Sequence, residues 1–456
     1  MAETIAAVAT GMGRSAVGIV RLSGDRAVEV AEGVFRPVSG RPLSQCGARR
    51  MVYGGLYGQG EVLLDRCLAW YARGPESYTG EDTAEIQCHG SPQVLALALE
   101  ALFAAGARQA QPGEFTRRAF LNGRLDLTQA EAVMDLIDAE TPAAALCAAG
   151  QLDRALSRRI SGIYDGLVDV AAHFHAVLDY PDEDIDPFRA ETLAQAIDQA
   201  REGLSALLAT WQRGRHLTDG VPCAIVGRPN AGKSSLLNAL LGYERAIVTP
   251  VAGTTRDTVE ERCTLGGVLL RLIDTAGLRE SGDAVERIGV ERSRSALARS
   301  ELALLVLDGS APLTREDEDA MDAVAAAPHT ICVVNKSDLP LTLDVDQLSR
   351  RFPHLCVVSA RESRGLEGLE EQVAALFPHP QGVEQGELLT NARQAEAARR
   401  ALSGVEQAGE SLAAGMTADA VLVDLEEAMQ ALGELTGRSV RADVTDRIFS
   451  RFCVGK

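Results

Sequence analysis

The chain has 456 residues, of which 46% are apolar and 24% are charged, a composition typical of a soluble globular protein with several cores. Its formal net charge of -19 disfavours a protein that coats nucleic acid indiscriminately, although a local basic site is compatible with it. Nine scattered cysteines without a CxxC pair argue against a disulfide framework and a zinc site. No apolar run approaches the roughly 18 residues of a membrane span, and no signal or transit pattern opens the chain, so we expect a cytoplasmic protein with no membrane partner.

Three lysines stand out, because all the others of the 45 basic residues are arginines. They are Lys233, Lys336 and Lys456. Arginine replaces lysine well as a general surface charge, but not where a compact charge on a thin, flexible stem is needed. The surviving lysines are therefore predicted to mark functional sites.

Patterns of strands and helices divide the chain into four segments. Residues 1–118 mix short strand-like runs with one clear helix, an α+β pattern, and residues 119–217 repeat apolar side chains at helical spacing. Residues 218–379 alternate five apolar strands with helices, which predicts a doubly wound parallel sheet. Residues 380–456 return to helical spacing, so the predicted fold is a multidomain α/β protein in which the α/β domain is inserted into one discontinuous helical domain.

A phosphate-binding loop follows the first strand of the third segment. Residues 227–234, GRPNAGKS, match GxxxxGK[ST] between the strand VPCAIV and the helix SSLLNALLG. Glycines let backbone N–H groups wrap phosphates at a helix N-terminus, the lysine reaches the β and γ phosphates, and the serine hydroxyl takes Mg²⁺. The predicted nucleotide contacts are Asn230, Ala231, Gly232, Lys233 (also catalytic), Ser234 (also a Mg²⁺ ligand) and Ser235.

Guanine is the predicted base. The sequence NKSD, residues 335–338, follows the fourth strand at the edge where ligands of open α/β sheets collect. Asp338 can accept from the ring N–H and the amino group of guanine, a donor pair that adenine lacks. Asn335 and the stem of Lys336 would brace the base, and Ser359 and Ala360 would offer backbone N–H groups to the guanine oxygen.

Two further segments are predicted to sense the γ phosphate. The sequence GTTRD supplies Thr255 as the second Mg²⁺ ligand, and the sequence DTAG is positioned to hold the Mg²⁺ shell. Leu278 stands where Ras-like GTPases carry a water-orienting glutamine, so catalysis must position its water by another group. The nucleotide contacts predicted in these segments are Thr254, Thr255, Asp274, Thr275, Ala276 and Gly277, and Thr249, shortly before the first segment, is a further predicted contact.

These motifs and several others resemble one known family along the whole chain. The G-protein motifs are GRPNAGKSSLLNAL, IVTPVAGTTRD, IDTAGLRE, VERIGVERS and NKSD, and the more specific ones are GIVRLSG, YTGED, HGSP, PGEFTRRAFLNGRLDLTQAEAVMDLIDA and the terminal FCVGK. The chain is similar to the MnmE (TrmE) family of tRNA modification GTPases. The resemblance implies a tetrahydrofolate-binding α+β domain at 1–118, a helical domain split into 119–217 and 380–456, and a Ras-like P-loop G domain at 218–379.

The resemblance also implies how hydrolysis proceeds without the glutamine. Members of the family bring two G domains together and bind K⁺ where an arginine finger would place its charge. The K⁺ ligands correspond to Asn230, Thr249, Val251 and Thr254. The water-positioning glutamate corresponds to Glu286, which is therefore a predicted catalytic residue.

For the N-terminal domain, the resemblance implies a bound tetrahydrofolate one-carbon derivative, 5-formyl or methylene. Cations suit the glutamyl carboxylates of such a carrier, and a carboxylate suits its pterin. Cys453 would lie beside the carrier and the tRNA base, where a thiolate could add to the uracil ring. A structural or redox role for Cys453 is an open alternative, and His89 is interpreted as structural. The matching folate contacts are Arg21, Glu85, Arg124 and Lys456.

The implied activity is that of a homodimeric, K⁺-stimulated GTPase. With the FAD-dependent partner MnmG (GidA) it would add an aminomethyl or carboxymethylaminomethyl group to carbon 5 of the wobble uridine in certain tRNAs. FAD is expected on the partner only, since no GxGxxG follows a predicted strand. The alternatives are a regulatory G protein in the manner of Era or Der and a structural GTPase that self-assembles, and folate binding would separate both from the tRNA-modifying enzyme.

Overall fold

The computed structural model describes residues 3–11, 13–179, 187–243, 261–273, 295–378, 386–438, 448–450 and 452–455. The chain divides into two compact units. The first unit comprises Met1–Met134, Ile160–Tyr164 and Met429–Lys456, and the second comprises Asp135–Arg159 and Asp165–Ala428. The two ends of the chain consequently belong to the same unit.

A mixed sheet forms the centre of the first unit. Its strands, among the described residues, are β1 (Ile5–Val8), β2 (Ser15–Ser23), β3 (Phe35–Pro37), β4 (Val52–Tyr57), β5 (Leu63–Ala72), β6 (Thr83–Gly90) and β7 (Arg108–Gln109). They lie in the order β3-β4-β5-β6-β2-β1-β7, and each neighbouring pair is antiparallel except β1 with β7. The helices α1 (Ala27–Val34) and α2 (Pro92–Ala104) contribute to the core cluster on one side of this sheet.

The alternation of strands β2 and β6 decides which side chains enter that core. Val20, Leu22 and Ile86 are fully buried in it, and burial of a side chain of this size stabilises a fold by about 1.5–3 kcal/mol. Successive side chains of a strand point to opposite faces. Arg21 and Glu85, which are register partners, therefore lie on the other face of the sheet.

Helices follow the first sheet in the sequence, as their apolar spacing predicts. In the described part they are α3 (Glu114–Leu121), α4 (Leu127–Ile137), α5 (Pro142–Leu152), α6 (Ala155–Asp179), α7 (Pro187–Leu208) and α8 (Trp211–Thr218). The start of α5 is fixed by Thr141, whose side chain accepts a hydrogen bond from the N–H of Ala144. Such a cap satisfies one of the free donors of the first helical turn.

A mainly parallel sheet forms the core of the inserted α/β region in the second unit. Its described strands are β8 (Val221–Val226), β9 (Glu261–Leu265), β10 (Val268–Leu272), β11 (Leu302–Asp308), β12 (His329–Asn335) and β13 (Leu355–Val357). The order is β13-β12-β11-β8-β10-β9, with only β9 and β10 antiparallel among these described pairs. Buried clusters lie on both of its faces, so the predicted doubly wound sheet is confirmed.

Four described helices and the helical residues 295–299 accompany these strands, and one strand departs from the prediction. The helices are α9 (Lys233–Tyr243), α10 (Arg315–Ala323), α11 (Val345–Arg351) and α12 (Leu366–Leu376). Strand β9 is missed by a search for apolar runs. Its polar residues alternate with the buried Cys263 and Leu265, which is typical of an antiparallel strand with one covered face.

The chain then returns to helices, α13 (Ala392–Ala413) and α14 (Ala418–Thr436). Helix α13 packs against α7, which joins the two parts of the predicted discontinuous helical domain. Helix α13 also lies close to α14. A Cβ on Gly404 of α13 would lie 2.9 Å from the carbonyl oxygen of Asp424 and 3.0 Å from the Cβ of Ala428 in α14, so the close contact between these two helices depends on glycine. Within the described residues, no helix combines the length and the apolar character that crossing a membrane requires.

Candidate functional site

The phosphate loop joins the end of β8 to the start of α9. Its backbone has positive φ at Gly227 (153°), Asn230 (61°) and Gly232 (99°), a region that glycine and, more rarely, asparagine adopt. A Cβ on Gly232 would collide with the side-chain amide of Asn335. The glycines of the sequence motif are therefore required by the path of the loop, which leads directly into a helix N-terminus.

Lys233 is held inside this loop. Its Nζ donates to the carbonyl oxygens of Gly227 at 2.7 Å and of Arg228 at 2.8 Å. Burial lowers the pKa of Lys233, while the negative charge of Glu316 opposes this effect. Phosphate oxygens placed here would raise the pKa of this lysine and favour its charged ammonium form. The loop therefore positions a cation that an anionic ligand would stabilise.

Asn335 joins three segments of the predicted nucleotide site. It is 2% exposed at the end of β12. Its Nδ2 donates to the carbonyl oxygen of Ala231 at 3.1 Å, and its Oδ1 accepts from the N–H of Ala360 at 3.0 Å. The structure therefore brings the phosphate loop, the NKSD motif and the loop after β13 together through a single side chain.

Asp338 lies at the same edge and is partly exposed to solvent, where a carboxylate can reach the base. Ser359 donates its hydroxyl to Asp338 Oδ1 at 2.7 Å. This hydrogen bond, followed by contributions from the backbone and from Arg361 and Arg364, lowers the pKa of Asp338. The carboxylate is thus ionised at neutral pH and able to accept the two donors of guanine.

Several predicted site residues lie outside the described residues. Ser234 and Ser235 are in the first turn of α9, but the other predicted Mg²⁺ ligand and most of the K⁺ ligands are in the undescribed part. Among the described residues, no group of three or more His, Cys, Asp or Glu side chains could hold a metal ion. The predicted residues that lie outside are Thr249, Val251, Thr254, Thr255, Asp274, Thr275, Ala276, Gly277, Glu286 and Lys456, together with Leu278.

In the first unit, Arg21 and Glu85 form the centre of the second predicted site. Arg21 Nε donates to Glu85 Oε1 at 2.7 Å, and Trp70 Nε1 donates to Glu85 Oε2 at 3.0 Å. Glu85 is register partner to both donors, which come from its neighbouring strands β2 and β5. One accepting position of each carboxylate oxygen is used in this way, and each oxygen retains a second lone pair for a ligand donor.

Aromatic side chains and the loop 78–82 surround this pair. The Arg21 guanidinium lies 5.6 Å from the ring centroid of Tyr78 and 5.9 Å from that of Phe115. Asn122 donates to the carbonyl oxygen of Thr79 at 2.7 Å, which holds the turn of the LNGR sequence against the loop. The side chain of Arg124 lies against Gly80 of the same loop, so both Arg21, through Tyr78, and Arg124 contact the YTGED segment.

The C-terminal tail is docked on the first unit rather than frayed. Phe449 and Phe452 are buried, and Val454 forms a β-bridge with Pro112. Gly455 has φ 104° and sits so close to the carbonyl group of Val8 that a Cβ would overlap it. The tail therefore has a fixed position, in which the last described residue requires glycine.

Cys453 differs from the other cysteines in exposure. It is exposed, whereas Cys46 is intermediate and the other seven are buried. Burial raises the pKa of Cys67 to about 12 and that of Cys88 to about 11, which keeps these thiols protonated and unreactive. Cys453 is consequently the cysteine that a large substrate can reach among those described.

Sequence reasoning missed several residues that the structure adds to the two sites. Trp70 could have been found as one of only two tryptophans, on a strand beside Glu85. Asp308 pairs with Lys336 at 2.7 Å and Arg228 lies 3.6 Å from the same carboxylate oxygen, contacts that no short motif encodes. His89, interpreted as structural, pairs through Nδ1 with Asp65 at 2.9 Å.

Comparisons with known proteins agree with this geometry. A family model described as the MnmE helical domain matches residues 127–453, and one described as the GTP-binding protein TrmE N-terminus matches residues 4–124. A tRNA modification GTPase MnmE from Symbiobacterium thermophilum is 45% identical over 456 residues, covering 100% of this chain and 99% of the relative. Its counterpart from Chloroflexus aurantiacus is 47% identical over 463 residues, with 100% of both chains covered.

A solved structure adds a weaker likeness. The G domain of the T. maritima FeoB iron transporter matches 34% of this chain and 97% of its own at 24% identity and a TM-score of 0.26, so the assignment rests on the family models and the full-length relatives. Those matches cover both the N-terminal sheet and the helical region that carries the inserted nucleotide site. The chain therefore belongs to the family of tRNA modification GTPases named MnmE, and it is a GTPase.

Proposed function

We propose that this chain, acting as a homodimer with an FAD-dependent MnmG (GidA) partner, modifies carbon 5 of the wobble uridine in certain tRNAs. The group added is aminomethyl or carboxymethylaminomethyl. A tetrahydrofolate derivative, 5-formyl or methylene, would supply the one-carbon unit when bound to the first unit. The proposed substrates, tRNA and GTP, imply a cytoplasmic enzyme that crosses no membrane.

The observation that supports this proposal is the fixed position of the C-terminal tail, which pairs with Pro112 and Gly113 directly before the helix that carries Phe115. The N–H of Gly113 donates to the carbonyl oxygen of Cys453 at 3.4 Å. Gly113 lies two residues before Phe115, over whose ring Arg21 is placed. A tail without a function would not require a fixed position. A thiol that reacts with a substrate beside the folate contacts would require one.

The roles within the first unit follow from the chemistry of its side chains. Glu85 would accept from the pterin donors, since each of its oxygens keeps a free lone pair, and Trp70 would fix its orientation. Arg21, Arg124 and Lys456 would bind the glutamyl carboxylates. Cys453 would meet the uracil ring as a thiolate nucleophile.

GTP hydrolysis is proposed to depend on Mg²⁺, on K⁺ and on contact between two G domains. Lys233, with the backbone N–H groups of the phosphate loop, would bind the β and γ phosphates, and Ser234 with Thr255 would ligate Mg²⁺. Glu286 would orient the attacking water in place of the missing glutamine. The proposed K⁺ ligands are Asn230, Thr249, Val251 and Thr254, of which Asn230 lies in the phosphate loop with φ 61°.

Mass spectrometry of tRNA nucleosides tests the proposed modification. Cells that lack this chain should lose the carbon-5-modified wobble uridine, wild type should restore it, and Cys453→Ser should not. Restoration by Cys453→Ser would remove the thiol from the chemistry. An unchanged nucleoside profile after deletion would contradict the proposed modification and favour a regulatory G protein.

Hydrolysis rates in KCl and in NaCl test the proposed cation dependence separately. Faster turnover in KCl is expected, because K⁺ would supply the positive charge that an arginine finger supplies elsewhere. Equal rates in the two salts would remove Asn230 from its assigned role.

A further inference from the structure

Asp308 occupies the central position at the nucleotide edge of the parallel sheet. It is the last residue of β11, and its register partner is Asn335 at the end of β12. On its other side β11 pairs with β8, the strand that leads into the phosphate loop. Parallel strands end at the same edge, so Asp308 lies between the segment that begins with Gly227 and the segment that contains Lys336.

Both oxygens of the Asp308 carboxylate are engaged. Oδ2 accepts from Lys336 Nζ at 2.7 Å and lies 3.6 Å from Arg228 Nη2. Oδ1 accepts from the hydroxyl of Ser310 at 2.6 Å and from its N–H at 3.0 Å. Burial by itself would raise the pKa of Asp308, but the hydrogen bonds from Lys336 and Ser310 outweigh burial and leave that pKa below its usual value.

Arg228 is held from a second side by another carboxylate. Its Nε forms an ion pair at 3.2 Å with Asp317 Oδ2, and the Asp317 side chain is 2% exposed. Asp317 also takes part in the capping box that starts α10 with Thr314. Negative and positive groups therefore alternate from Asp317 through Arg228 and Asp308 to Lys336, with each cation next to a fixed carboxylate.

The backbone at each end of this chain of charges is constrained as well. Lys336 has φ 66°, a left-handed conformation that a lysine keeps only where its surroundings enforce it. The carbonyl oxygen of Arg228 accepts from Lys233 Nζ at 2.8 Å. Contacts of Asp308 thus reach both the lysine that braces the base and the residue that anchors the phosphate-binding lysine.

We propose that Asp308 is a positioning residue for GTP, whose carboxylate aligns the guanine-binding and phosphate-binding parts of the site by holding Lys336 and Arg228 together. The role concerns the GTPase activity and does not depend on the proposed tRNA chemistry. Loss of the charge would leave two cations facing each other across the position of Asp308, and both loops would relax away from it.

Nucleotide affinity of Asp308→Asn in the full-length chain is the first measurement. A fluorescent GTP analogue should bind roughly tenfold to a hundredfold more weakly, because a charged partner shared by both loops is lost. The melting temperature without nucleotide reports on folding independently. The matched control is Asp322→Asn, which removes an exposed carboxylate that pairs with Arg351 in the same region and should change affinity less than about twofold.

A double-mutant cycle separates positioning from a general structural role. If Asp308 acts through Lys336, then Asp308→Asn should weaken binding less than about threefold further in a Lys336→Met background. The full loss persisting in that background would overturn the proposal, as would wild-type affinity of the single variant. A purely structural defect would lower the melting temperature and weaken binding in both backgrounds.

A second cycle tests the proposal if Asp308→Asn does not fold. Arg228→Gln approaches the same carboxylate from the phosphate loop. The proposal expects the loss of affinity in Arg228→Gln combined with Lys336→Met to be at least about threefold smaller than the product of the two single losses. Losses that multiply would show that the two loops are independent and would contradict the shared role of Asp308.

Discussion

The two candidate sites of this chain are assembled in different ways. The nucleotide site takes its side chains from short segments that follow strands β8, β12 and β13 of one parallel sheet. The N-terminal site takes Arg21 and Glu85 from adjacent strands and Tyr78 from a loop, and the C-terminal tail of the same unit pairs with Pro112 and Gly113. Motifs that are local in sequence indicate most of the first, whereas the second joins side chains that lie far apart in the sequence.

The largest expected effect tests whether the short NKSD motif recognises the base. Asp338→Asn should weaken GTP binding by about 10³-fold, because the two guanine donors lose their carboxylate. The amide of the variant can instead donate to the additional carbonyl of xanthine, so XTP should bind more tightly than GTP. Competition titrations with GTP and XTP measure this. Equal weakening for both nucleotides would mean that Asp338 does not contact the base.

The second prediction concerns the position of the C-terminal tail in the first unit. Gly455→Val should undock the tail at a cost of about 4 kcal/mol, because a side chain there combines left-handed strain with overlap against Val8. Carboxypeptidase digestion should then release the tail residues rapidly. GTP hydrolysis should persist.

Val454→Ala is the matched control for that digestion. Val454 is 45% exposed, so its truncation should leave the tail as resistant to digestion as in the wild-type chain. A wild-type tail that is digested as fast as that of the Gly455→Val variant would contradict docking in solution.

Acid stability distinguishes the two sites further, because ion pairs hold the elements around the N-terminal site together. Glu114 pairs with Arg108 and Arg118, and Arg118 pairs with Glu81 of the YTGED segment. Burial by itself would raise the pKa of Glu114, but hydrogen bonds from Arg108, from the N–H of Gln111 and from Arg118 lower it to about 2, against a usual value of 4.5. The resulting stability is complete above pH 4.5 and is lost as the pH falls through 2, by about 2 kcal/mol after solvent screening.

Fluorescence can follow that loss in the first unit alone. Trp70 belongs to the first unit, so a Trp211→Phe background makes the signal specific to it. Denaturant unfolding between pH 5 and pH 2 should show a falling free energy of unfolding, and Glu114→Gln should flatten the slope. A slope that is unchanged by this substitution would assign the acid sensitivity to other groups.

The smallest effect concerns the orientation of Glu85. Trp70→Phe removes the hydrogen bond to Oε2 and should weaken binding of 5-formyltetrahydrofolate by about three- to tenfold. The matched control is Trp211→Phe, in the other unit. Calorimetric titration measures both, and equal affinities of the two variants would show that Trp70 does not orient the carboxylate.

The fold class and the meeting of the phosphate loop with the NKSD motif could be predicted from the sequence, because hydrophobic period and motif position carry the information. Asn335 and Ala360 follow strand ends, and parallel strand ends meet at one edge. The alternating strand β9 is not visible as an apolar run. The pairing of Asp308 with Lys336 and Arg228 depends on the order of the strands in the sheet. The position of Gly455 against Val8 depends on a tertiary contact, so neither feature follows from a local sequence pattern.

The most direct test of the account is calorimetric titration of the full-length chain with 5-formyltetrahydrofolate and, in parallel, with GTP. Wild type should bind both, and Arg21→Met should weaken folate binding by at least about a hundredfold with unchanged GTP affinity, because the charged contact lies in the first unit only. A wild-type chain that binds GTP but no folate would contradict the account and leave a regulatory or self-assembling GTPase in its place.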